Sequence, residues 1–133
     1  MFDSHGKFII SYKDNIIEVQ ASGPFNLEAV KCYEEAVVEA VRQISNPWGQ
    51  IIFMHHNCLY TPEAEEEMQR FTKLRKELGL KTIALVFTDH TAMFLIRDKI
   101  SSFYRQQDIP CEFFTDKTEA YKWLNTQLQQ TSN

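Results

Sequence analysis

The chain is poor in the residues from which most catalytic and binding motifs are built. It holds four glycines in 133 residues, with none between Gly49 and Gly79. That leaves no glycine-rich loop to cradle a phosphate and no glycine turn to shape an oxyanion site there. The cysteines, Cys32, Cys58 and Cys111, are odd in number and match no zinc spacing, so no disulfide framework or structural zinc site is expected. No apolar run approaches the length that spans a bilayer. The opening MFDSHGKF has no basic start followed by an apolar segment, so no signal peptide is expected and the cytoplasm is the expected location. Positive charge is not in excess: the formal net charge is −4. Nucleic acid is therefore not an expected partner, since phosphate binding wants a basic face. No repeat, linker or low-complexity stretch interrupts the chain, and its length suits one domain over 1–133.

What is present is enough apolar material for a core: 44% hydrophobic and 24% charged residues. The organising stretch runs from Gln50 to Met68. Ile51, Ile52, Phe53 and Met54 form an unbroken apolar run, as a central parallel strand covered on both faces would. His55-His56-Asn57-Cys58 then changes the polarity sharply. Thr61-Pro62 opens a helix, with threonine as the cap and proline at the first helical position. Glu63, Glu65, Glu66 and Glu67 crowd its first turns, where the helix dipole favours carboxylates. Ala64, Met68, Phe71, Leu74 and Leu78 are the expected buried face of this helix.

Around that junction the remaining elements fall in order. Lys7 to Lys13 and Ile16 to Ser22 read as a hairpin turned at Asp14-Asn15. Asn26 caps a helix whose apolar stripe is Leu27, Val30, Val37, Val41 and Ile44. After a C-cap at Gly79, Ile83 to Phe87 repeats the doubly buried strand pattern. Thr88-Asp89-His90-Thr91 is its polar exit, and Asp89 or Thr91 caps a helix reaching about Gln107. Cys111 to Thr115 is a last strand and Lys117 to about Gln129 a last helix. The order ββαβαβαβα implies a mixed, mostly parallel sheet of about five strands with an antiparallel N-terminal hairpin.

This order, the central strand WGQIIF, the helix start TPEA and the ending CEFFTDKTEAYKWL resemble the STAS/SpoIIAA-like family over roughly Gly6 to Leu128. The resemblance implies a sheet with four helices mainly on one face and a non-enzymatic regulatory or protein-interaction role. Its phospho-switched branch carries an Asp-Ser-Ser-Gly-type motif where this chain has HHNCLYTPEA. The double serine and the glycine are missing, and Thr61 is the hydroxyl nearest that position. Related folds bind lipids or other apolar molecules, so an apolar small-molecule binder is the alternative role.

Candidate site residues gather at the exits of the two buried strands. His55, His56, Asn57, Cys58 and Tyr60 follow the first, and Asp89 and His90 the second. Imidazole, thiolate and carboxylate suit zinc. Consecutive His55 and His56, however, point to opposite sides of an extended segment, and no ligand spacing appears, so no metal and no cofactor are expected. Cys58 beside His56 or His90 would be a nucleophile–base pair, the ingredients of a small enzyme, with no oxyanion loop to complete it. Thr61 reads first as a cap. A phosphate there would gain helix amides and meet four glutamates. Finally, Phe94 and Leu95 stand off the apolar stripe Met93, Ile96, Ile100, Phe103 and Tyr104. They are the expected contact for another protein or a second copy of the chain.

Overall fold

The computed structural model describes residues 6–130; the side chains of His90, Thr91, Ala92 and Leu95 lie outside that description. Five strands form one sheet: β1 (Lys7–Lys13), β2 (Ile16–Ser22), β3 (Trp48–Met54), β4 (Leu80–Phe87) and β5 (Cys111–Phe114). Four helices accompany them: α1 (Leu27–Val41), α2 (Pro62–Glu77), α3 (His90–Arg105) and α4 (Lys117–Gln129). The strands lie side by side in sequence order. β1 and β2 pair antiparallel, and every later pair is parallel. The expected ββαβαβαβα order and mixed sheet are thus what the chain adopts.

Each parallel crossover advances one strand in the same direction, so crossovers of one hand place their helices on one face. The packing agrees. Ile17, Val19, Ile52, Leu85 and Phe87 share a core with Val30 and Val37 of α1, Met68 and Phe71 of α2, and Ile96 and Ile100 of α3. α4 follows the last strand and is not a crossover. It closes the opposite face, where Ala120 and Leu124 pack on Ile51, Phe53, Ala84 and Val86. β3 is buried at every position because it is covered from both sides. Phe53 faces Val86 across the β3–β4 ladder, so the two apolar runs do lie together and point the same way.

Local chemistry fixes the joints. Asp14 takes a positive φ of 56° at the hairpin turn, and Gly79 takes 112° just past α2, a conformation that favours glycine. Trp48 is the first residue of β3. It is fully buried, and its indole N–H donates to the Leu78 carbonyl at 3.0 Å. Asn26, Thr61 and Asp116 each accept a first-turn amide as helix caps.

Two expected faces are corrected by the packing. In α2 the buried set is Ala64, Met68, Phe71, Thr72 and Arg75, while Leu74 is 41% exposed. In α1 it is Ala29, Val30, Tyr33, Val37 and Ala40, with the expected Val41 and Ile44 partly buried against the same core. In both helices a polar side chain joins the buried face: Tyr33 and Arg75 reach inward to meet Gln50 of β3.

Candidate functional site

The carboxyl ends of the parallel strands form one rim, and the β3–α2 loop is sewn to its neighbour there. The His55 amide donates to Ala21 at 2.9 Å, and the Gly23 amide donates to His56 at 3.0 Å. Asn57 turns the chain with φ 57°. Phe25 then donates to Leu59 at 2.8 Å, and Thr61 donates back to Phe25 at 3.0 Å. Gly23 has to be glycine, because a Cβ there would fall on the Asn57 carbonyl.

This stitching decides the chemistry of Cys58. The side chain is fully buried, with its sulfur 3.7 Å from the Ala21 carbonyl oxygen. Burial pushes the thiol up to about 11; amides of Gly23 and His55 oppose the rise, and the charge of Asp89 adds to it. Such a group is a poor nucleophile at neutral pH. Cys111 is pushed up to about 12, again by burial first, and Cys32 is exposed.

His55 is held from both sides. Its Nε2 lies 2.6 Å from Gln20 Oε1 and its Nδ1 2.9 Å from Thr88 Oγ1. The Gln20 amide nitrogen donates to Glu18 Oε2 at 3.3 Å, which turns its carbonyl toward His55. Nε2 therefore carries the proton of that contact. Tyr121 of α4 donates its hydroxyl to the other Glu18 oxygen. Burial, then the hydrogen bond and charge of Glu18, hold that phenol above its usual range. The result is a hydrogen-bonded chain from β4 through β3 and β2 to α4, on the α4 face of the sheet.

The other expected residues fall into place individually. His56 and Asn57 are exposed, and the rings of His55 and His56 stand 6.5 Å apart. Tyr60 packs its ring against Phe25 and Phe103, with centroids 5.0 and 5.9 Å away, and burial holds its hydroxyl well above the ordinary phenol range. Thr61 Oγ1 accepts the Ala64 amide at 3.2 Å. Asp89 stands just before α3, while the side chain of His90 lies outside the described residues. Among the described residues, no three of His, Cys, Asp and Glu group as a metal site would. Phe94 is 78% exposed, and the side chain of its neighbour Leu95 is outside the description.

Two features went unread in the sequence. Leu59, in the same loop as Cys58, is 49% exposed. More central is Arg75, which is fully buried. Its guanidinium donates to Gln50 Oε1 at 3.0 Å, to Tyr33 OH at 3.1 Å and to Thr72 Oγ1 at 2.8 Å. It also stands 5.0 Å from the Phe71 ring centroid and 5.2 Å from that of Tyr104. None of these hydrogen-bond partners is a carboxylate; neutral oxygens and aromatic faces take that role.

A scan against protein-family models and a search of curated proteins found no match for this chain. Among the described residues, no helix is long and apolar enough to cross a membrane.

Proposed function

We propose that this chain is a non-enzymatic, STAS-like interaction module of the cytoplasm that docks another protein, or a second copy of itself, through its carboxyl rim. The observation that carries the reading is Phe94, 78% exposed in the opening turns of α3. Leu59 adds a second exposed apolar side chain from the neighbouring loop. A large aromatic exposed to water is a ready anchor for a partner. Supporting the same reading, the reactive groups of the rim have structural duties. Thr61 caps a helix, Cys58 is buried with a raised thiol, and His55 is tied to Gln20 and Thr88.

The alternative, an apolar or lipid-like ligand, has little room at the rim itself. The cavity under the rim loop, lined by Cys58, Leu59, Tyr60, Ile96, Lys99 and Ile100, is about 120 Å³. Ligand pockets usually start at roughly 300 Å³.

The test is a Phe94→Ser, Leu59→Ser double variant compared with the parent by sedimentation velocity, alone and with candidate partners. The reading expects association to fall while the melting temperature holds. Association unchanged in the folded variant overturns it.

A further inference from the structure

Helix α4 covers only part of its face of the sheet. It packs on β3 and β4 through Ala120 and Leu124. It runs against those strands, with Lys117 near the Phe53 ring and Leu128 reaching Gly49. The same face of the β1–β2 hairpin is left open. A trough of about 500 Å³ lies there, between the hairpin and α4. That volume falls within the roughly 300–1,000 Å³ usual for small-molecule sites.

The strand register sets one wall. Ser11 stands opposite Glu18 and Lys13 opposite Ile16, and cross-strand partners share a face. Lys117, Tyr121 and Asn125 line the other wall, at successive turns of α4. Glu18 is level with Tyr121, whose hydroxyl it accepts. Lys117 lies toward one end of the trough, and Lys13 and Asp14 lie at the other.

Glu18 is fixed from behind. One oxygen accepts the Tyr121 hydroxyl and the other the Gln20 amide, and Gln20 is itself held by His55. These two bonds leave lone pairs on both oxygens for a further donor. Lys117 is placed by two rings, its Nζ 5.7 Å from the Phe53 centroid and 5.9 Å from that of Tyr121. Among the described residues, no ion pair engages Lys13, Asp14, Glu18 or Lys117. The trough thus holds two charges of each sign that balance and yet stand apart. An anion alone would meet Glu18 and Asp14, and a cation alone would meet the two lysines. A ligand that carries both charges, well separated, answers each.

We propose that this trough binds a small zwitterion, its ammonium on Glu18 and its carboxylate on Lys117. Those two anchors are one turn of α4 apart, about 6 Å, which selects an ω-amino acid over an α-amino acid. The Ser11 hydroxyl, opposite Glu18, is a second acceptor for the ammonium. The site lies on the α4 face, apart from Phe94 and Leu59, and does not depend on the docking reading of the rim.

The probe is 5-aminopentanoate. Pentanoate and pentylamine are the controls, each with one of its charges on the same chain length. Backbone-amide and His55-ring NMR signals are followed at neutral pH and constant ionic strength. The expected result is saturable shifts at Glu18, Lys117 and Tyr121, with the His55 ring responding through Gln20. Binding should be about tenfold tighter for the probe than for either control. Lys117 is exposed, so Lys117→Met keeps the fold and the stem while removing the charge, and should weaken binding about tenfold. Glu18→Gln should weaken it similarly, and Phe94→Ser should bind as the parent does. Equal binding of the three compounds, no saturable binding of the probe in the millimolar range, or full affinity in folded Lys117→Met overturns the proposal.

Discussion

Arg75 of α2 donates to Gln50 of β3 across 3.0 Å of fully buried interior. Removing the arginine alone leaves the Gln50 oxygen and the Tyr33 hydroxyl without that donor, which costs more than the hydrogen bond returned. Arg75→Met is expected to lose about 1–3 kcal/mol of stability. Arg75→Met with Gln50→Leu should recover part of that loss, because an apolar pair of similar volume leaves fewer orphans. Urea unfolding of the two singles and the double measures this. A double variant that loses the full sum of the singles contradicts it.

Gly23 is the stitch between the two rim loops. Gly23→Ala would place a methyl on the Asn57 carbonyl, so the β3–α2 loop has to move. The expected cost is about 1–3 kcal/mol. Hydrogen exchange should quicken at the Phe25 and Thr61 amides, which depend on that register, while β4 stays protected. Unchanged exchange at those two amides would show that the loops are not coupled in this way.

Thiol chemistry separates the cysteines. Cys32 is exposed, Cys58 is buried and Cys111 is partly buried, and burial raises the last two thiols to about 11 and about 12. A neutral-pH reaction with an aromatic disulfide reagent should label Cys32 rapidly. Cys58 should react only on the timescale of loop opening or unfolding. Mass mapping after a short pulse reads the order, and rapid labelling of Cys58 would revive the small-enzyme reading of that residue.

Glu34 gives the stability curve a sign. Its carboxyl titrates higher in the folded chain than an ordinary glutamate, so the folded state holds a proton that the unfolded state has released. That contribution is fully present below the unfolded value and fades as pH rises through about 7. The lowered value of Glu67 works in the opposite sense at more acid pH. Glu34→Gln should therefore help stability more at pH 8 than at pH 5. Melting temperatures of parent and variant across that window test the sign. A variant that gains at pH 5 and loses at pH 8 contradicts it.

The central strands were legible because both are covered from two sides. An unbroken run such as Ile51–Met54 then needs no alternation, and the Phe53–Val86 pairing follows from two such runs in a parallel order. The caps were legible for a local reason: Asn26, Thr61 and Gly79 act within one turn of themselves. Arg75 was not legible. A hydrophobic stripe counts arginine as outward, and Leu74 next to it fits the pattern better. The facing Gln50 and Tyr33, with the Tyr104 ring, make the inward rotation favourable, and that is tertiary information. Cys58 read as an available loop thiol for the same reason, since its burial depends on the Gly23–His56 register.

The most direct measurement places a photo-crosslinking amino acid at position 94 in the source cell, with position 66 on α2 as the control. Docking through the rim predicts a discrete adduct from position 94, to a partner or to a second copy, that weakens when Leu59→Ser is added. No adduct above the level from position 66 would contradict an interaction module that works through Phe94.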